Sequence, residues 1–269
     1  MLIRLGYTLE FDIINDTPMV AMLHVHPSRE QDLLEPDILR VTPEVPLTEY
    51  IDSFGNRCTR FLAPPGKLTL CGNTLIQDSG ELDELPVGAI AHPIENLPPE
   101  VMIFLLSSRY CEVDLLSTIA FEVFGQYEPG WPRAMAIQRW VNEKVLFGYH
   151  FARGTRTALE TYTERVGVCR DFQHLAIAFC RAMNIPARYV TGYLGDIGVP
   201  YAGEGDFSAW FEVYLGNRWW TMDARHNRQR IGRVLMAVGR DAADVALTTS
   251  FGVASLKRFH VVSDEVKAA

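Results

Sequence analysis

Arg165-Val-Gly-Val-Cys-Arg-Asp-Phe-Gln-His-Leu-Ala-Ile-Ala-Phe-Cys-Arg-Ala-Met-Asn-Ile-Pro-Ala-Arg-Tyr-Val-Thr-Gly-Tyr193 is the stretch on which the reading of this chain turns. Past Gly167, apolar residues fall at Phe172, Leu175, Ala176, Phe179 and Met183, the three-and-four spacing of an amphipathic helix. Asp171 puts a carboxylate in the first turn, and Asn184 and Pro186 close the run. Cys169 therefore stands at the helix N-terminus, where unsatisfied amide donors and the positive end of the macrodipole favour thiolate over thiol. That placement predicts a nucleophile. Cys180, eleven residues further along the same helix, reads as core. His174, five residues past Cys169, points away from the thiol at 100° per residue and also reads as core, while Asp171 and Arg170 read as a first-turn cap and a surface ion pair.

Working outward, 269 residues with 48% hydrophobic side chains are enough to bury a sizeable core. The net charge is −8 and the basic residues are scattered, which argues against a nucleic-acid or anionic-membrane surface. No apolar run approaches the roughly 20 residues a bilayer requires, and Met1 to Tyr7 lack a signal-peptide pattern, so a cytoplasmic protein is expected. Five widely spaced cysteines without a Cys-x-x-Cys fit neither a disulfide scaffold nor a structural zinc site. His24-x-His26 lacks a third ligand nearby, and no metal or other cofactor is expected.

The first hundred residues read as β. Tyr7, Leu9, Phe11 and Ile13 alternate with Thr8, Glu10 and Asp12, and further strands are expected at Val20 to Val25, Leu47 to Ile51 and Leu68 to Ile76. Asp52 to Asn56 marks a hairpin turn, and the whole suggests a small sandwich or barrel. Prolines 86, 93, 98 and 99 mark a linker. Helices are then expected over 115–124, over 132–145 with Pro132 in the first turn, and over 156–166. After the cysteine helix come strands at Ala187 to Leu194, Phe207 to Leu215 and Arg218 to Asp223, with a loop at Tyr201 to Gly205. Gly216-Asn217 forms a tight turn, and a strand at Leu256 to Val262 is expected after a mixed segment. Trp210 and Trp219 are expected to fill the core between sheet and helix.

Three runs taken together, Gly-Val-Cys-Arg-Asp-Phe-Gln-His-Leu, Ile-Pro-Ala-Arg-Tyr-Val-Thr-Gly-Tyr and Ala-Trp-Phe-Glu-Val-Tyr-Leu-Gly-Asn-Arg-Trp-Trp-Thr-Met-Asp, resemble the transglutaminase-like superfamily over about residues 130 to 225. The β-rich first hundred residues look like the domain that often precedes this core in bacterial members. The resemblance implies an α+β, papain-like core with a Cys-His-Asp triad acting on peptide or protein amides. It places the nucleophile at Cys169 and the orienting carboxylate at Asp223. The expected organisation is an antiparallel β domain over 1–95, a linker over 96–104 and the core over 105–269. Oligomeric state is not legible.

The middle member of the triad departs from the family: where it reads His-Ala-Trp, this chain reads Ser208-Ala209-Trp210. A hydroxyl does not hold a proton near neutral pH as imidazole does. Three readings stand at this point. His226, three residues past Asp223, is a candidate relocated base, since triads are defined by geometry. Ser208 and Asp223 are alternatively enough to polarise the thiol toward activated acyl groups. In the third reading, the chain keeps the fold and cleft as a peptide- or ligand-binding module without turnover.

Overall fold

A computed structural model describes residues 1–200 and 205–266, so the expected loop at Tyr201 to Gly205 lies outside the described residues apart from Gly205. In chain order the strands of the first part are β1 (Leu2–Ile13), β2 (Thr17–Ala21), β3 (Arg40–Thr42), β4 (Thr48–Ile51), β5 (Arg57–Ala63) and β6 (Gly66–Gln77). Then come α1 (Val113–Phe124), α2 (Trp131–Lys144), β7 (Leu146–Phe147), α3 (Ala158–Glu164), β8 (Val166–Gly167) and α4 (Cys169–Ala182). The remaining strands are β9 (Ala187–Leu194), β10 (Phe207–Leu215), β11 (Arg218–Met222), β12 (Arg233–Gly239), β13 (Thr248–Ser250) and β14 (Ala254–Glu265).

The fold is α+β, as expected, with three four-stranded sheets ordered β14-β1-β6-β3, β13-β2-β5-β4 and β11-β10-β9-β12. All their pairings are antiparallel, and only the two-residue β7-β8 pair is parallel. Two turns follow from local chemistry. Gly216 and Asn217 both adopt positive φ, 57° and 67°, as a tight hairpin between β10 and β11 demands. Thr157 and Glu160 form a reciprocal capping box that starts α3.

The C-terminal strands alter the expected domain division. β14 pairs with β1 from Ile3↔Glu265 to Ile13↔Ala254, and β13 pairs with β2. One apolar core joins Ile3, Leu5 and Leu9 to Tyr193, Phe207, Val234, Met236 and Val261. Residues 248–265, assigned above to the 105–269 core, thus complete the sheets of the first part, because β1 is flanked on both edges and needs a second partner besides β6. The proline-rich stretch carries two short 3-10 turns, Ile94–Asn96 and Pro99–Leu105.

Helix α4 is buried on every side rather than along one face, from Asp171 through Ala182. Phe172, Ala176 and Phe179 belong to a core with Ala209, Phe211, Val213 and Leu215 of β10, and Leu116, Phe124, Ile137 and Val141 of α1 and α2 complete it. Its buried Arg181 is satisfied, donating to the carbonyls of Ala187, Leu106 and Arg240 and to Ser108 Oγ. The tryptophans fall differently from expectation. Trp210 packs with Val190 and Val238 on the sheet face away from α4, and Trp219 packs with Leu97, Val101 and Tyr214. Trp220, opposite Val213, is the one turned toward the helix core. Alternation along β10 and β11 dictates this, since residues directly opposite share a face. Among the described residues no helix is long and apolar enough to cross a membrane.

Candidate active site

The start of α4 is built around Asp171. Its Oδ2 accepts the Val168 amide at 3.0 Å, closing the first turn, and its carboxylate pairs with Arg156 and Arg170, each at 3.1 Å. Of the Asp171–Arg170 pair expected at the surface, Asp171 is wholly covered while Arg170 keeps 20% of its side chain exposed, and the second partner, Arg156, is nearly buried. Arg170 also donates to the carbonyls of Arg153 and Gly154. Gly167 is required here, because a Cβ would lie 2.7 Å from that of Asp171. These contacts fix the direction in which Cys169 leaves the chain.

Cys169 opens on a cleft of about 420 Å³ that it shares with Tyr110, Tyr189, Thr191, Asp206 and Ser208. Burial pushes its thiol up to about 11; Asp206 adds to this, while the Arg225 charge and the amides of Ala209 and Arg170 act the other way. The helix terminus therefore does not by itself make a resting thiolate: losing water costs the anion more than the nearby donors return. Arg225 lies 4.0 Å over the ring of Phe147. Ser208 sits opposite Gly192 in the β9-β10 ladder, and among the described residues its buried Oγ has no hydrogen-bond partner. A Cβ at Gly192 would meet the Val234 carbonyl at 2.2 Å and the Trp210 ring at 2.5 Å, so glycine is the residue this crossing accepts.

Asp223 follows β11 and is supplied with donors from several elements. It accepts from Gln173 Nε2 at 3.2 Å, from the amides of Arg225 and His226 at 3.0 Å each, and from Arg233 Nη2 at 2.9 Å. His226 Nδ1 lies 2.8 Å from its Oδ2, so the imidazole expected beside the carboxylate is there. Burial opposes the anion, but the His226 hydrogen bond and the Arg233 and His226 charges outweigh it and hold the carboxyl well below its usual range. Asp223 lines a separate depression of about 190 Å³ with Asp83, Trp131, Gln138 and Asn227. The structure thus brings Cys169 together with Ser208, and Asp223 together with His226, in two different places.

Gln173 joins them. One helical turn past Cys169, it donates to the Ala209 carbonyl and to Asp223 Oδ1 and accepts the Ala224 amide, all at 3.2 Å. Reading by motif missed it, although the i+4 spacing from Cys169 was a usable signal. Asp206, Arg225 and Arg233 were missed as well. Their side chains meet the site only through tertiary structure. His174 is core, as expected: its ring stacks on Tyr110 at 5.0 Å and its Nε2 accepts the Ala242 amide. His24 and His26 are engaged with Thr59 and Ser28, and among the described residues no group of three His, Cys, Asp or Glu is placed to hold a metal ion.

Known proteins resemble this chain in sequence and in fold. A sequence profile of the transglutaminase-like superfamily matches residues 117–224. The crystal structure of a proposed cysteine protease from Cytophaga hutchinsonii is 30% identical in sequence and superimposes with a TM-score of 0.86, over 100% of this chain and 92% of that one. The uncharacterized protein ML0607 of Mycobacterium leprae (strain TN) is 27% identical over 227 residues, 78% of each chain. The periplasmic domain of TgpA from Pseudomonas aeruginosa is more distant, at 14% identity and a TM-score of 0.40 over 80% of this chain and 91% of that one.

Proposed function

Starting from the transglutaminase-like superfamily, to which this chain belongs, we propose that it is a cysteine-type peptidase or amidase that acts on peptide or protein amides through an acyl-thioester at Cys169. One observation carries the reading: Cys169, alone among the five cysteines, begins a helix and lines a cleft large enough for a peptide segment. In the first half-reaction Sγ bonds to the carbonyl carbon, the C–N bond breaks and the amine leaves with a proton. In the second, water takes the acyl group and the thiol is restored. The similarity along the whole chain to the Cytophaga hutchinsonii protein proposed to be a cysteine protease supports the same chemistry.

The test is iodoacetamide labelling across pH 5 to 9 with the modified residue mapped, in the native chain, Cys169→Ala and His226→Ala. The native chain is expected to label at Cys169 with a rate still climbing at pH 9, since its thiol lies near 11. Failure of Cys169 to label at any pH sinks the reading. A slower Cys169 in His226→Ala assigns the imidazole a part in activation.

A second reading, a binding module that keeps the fold and cleft without turnover, is favoured by a different observation. Ser208 Oγ stands buried and unpartnered where the family carries an imidazole, beside a thiol that burial keeps protonated. Such a cleft would bind a peptide with similar affinity in the native chain and in Cys169→Ser, with no acyl-enzyme trapped in either.

A further inference from the structure

We propose that Asp206 carries the proton at this site, taking it from the Cys169 thiol during attack and returning it to the departing group. The inference rests on the acyl-thioester reading above. Asp206 precedes β10 by one residue and lines the same cleft as Cys169 and Ser208. His226, the alternative carrier, holds Asp223 through Nδ1 as a triad imidazole does, but neither residue is among those lining the cleft. Asp206 instead acts directly on the thiol: its charge opposes the thiolate, so the two groups share a proton more readily than both ionise.

The groups around Asp206 fit a proton carrier. The Phe207 amide donates to it and Arg225 faces it, both favouring the carboxylate, while burial outweighs them and raises the carboxyl above its ordinary 3.8. Among the described residues Tyr110, Arg170 and Tyr189 are the other titratable side chains that line the cleft, and Tyr149, outside that lining, feels the charges of Asp206, Arg225 and Cys169. Arg225 is thereby placed to hold the carboxylate after it gives up its proton. Ser208 Oγ, unpartnered and 7% exposed as a residue, supplies a polar contact beside the two reacting groups.

The step balances without a co-reactant. The S–C bond forms as the thiol proton passes to the Asp206 carboxylate. The bond to the leaving nitrogen or oxygen then breaks as that proton passes to it. In deacylation the water oxygen bonds to the acyl carbon as Asp206 takes its proton, the C–S bond breaks to release the carboxylic acid, and the proton returns to sulfur. Attack needs the ionised carboxylate, so acylation rises with pH through the raised carboxyl value.

The two roles of Asp206, opposing the thiolate and carrying the proton, make one variant move two rates in opposite directions. In Asp206→Asn, iodoacetamide alkylation of Cys169 at pH 8 should rise several-fold, because the opposing charge is gone. Acylation by phenyl acetate, followed by phenol release, should fall about 100-fold and lose its rise in mildly acidic solution. Asp206→Glu should recover part of the acylation. Both rates moving together, or unchanged acylation in Asp206→Asn, would overturn the proposal, as would acylation abolished by His226→Ala but not by Asp206→Asn. If phenyl acetate never acylates Cys169 in the native chain, the acyl-thioester reading itself falls, and Asp206 with it.

Discussion

The two ends of Gln173 lie in opposite states. On the Asp223 side, one carboxylate collects donors from α4, from its own loop and from β12, and stays ionised. On the Cys169 side, the cleft holds a thiol pushed up by burial and a serine hydroxyl without a partner. Buried polar groups left unsatisfied cost free energy, so proteins keep few of them without a use. The contrast sets a carboxylate held by many donors on the Asp223 side against a thiol and a hydroxyl that face a cleft on the Cys169 side.

The largest test of that contrast is Asp223→Asn. It leaves the buried Arg233 with Asp83 alone and should cost about 3 kcal/mol of stability at pH 7, read by urea denaturation. The sign with pH follows from the direction of the shift. A carboxyl held below its ordinary 3.8 adds stability above that value and loses it as pH falls toward the folded one, so the gap between native chain and variant should narrow below about pH 4. A gap that widens in acid would reverse the assignment. Next is Gln173→Leu, which strands the Ala224 amide and should cost about 2 kcal/mol in the same experiment. If it also slows Cys169 labelling, the two sides are mechanically joined; unchanged labelling makes Gln173 a structural tie only.

On the open side the effects are smaller. Ser208→His puts an imidazole at the position that the sequence resemblance assigns to the triad histidine and should speed Cys169 alkylation at pH 7 about tenfold, equivalent to lowering the thiol value by one unit. No change would mean that β10 no longer presents this side chain to the sulfur. Ser208→Ala deletes a hydroxyl that already lacks a partner and should raise stability by about 1 kcal/mol, against the usual direction for a buried polar deletion. A loss instead would show that the hydroxyl is satisfied in solution.

What was legible in the sequence was local. The cysteine helix, the Gly216-Asn217 turn and the imidazole beside Asp223 all depend on residues a few positions apart, where spacing maps directly onto geometry. The α+β fold and the family were legible through the runs around Cys169 and Asp223. What escaped depends on distance along the chain. Gln173 meets partners 36 to 51 positions away, and Asp206 shares a cleft with Cys169 only because β10 is laid against α4. β12 was read as mixed sequence, although its alternation becomes plain once β9 lies beside it. Burial of the thiol was likewise invisible: the helix terminus was in the sequence, and the desolvation that outweighs it was not.

The β1-β14 ladder has a consequence for how the molecule comes into being. Ile3 cannot meet Glu265 until nearly the whole described chain has left the ribosome, so one edge of β1 stays open through most of synthesis. Pairings of such long range slow the search for the native state and leave strand edges exposed to other chains meanwhile. The apolar core that rests on this ladder also includes Tyr193 and Phe207, from the strands that frame the cleft. The cleft is therefore among the last parts of the molecule to be finished, and Cys169 meets its surroundings only when the chain has closed on its own beginning.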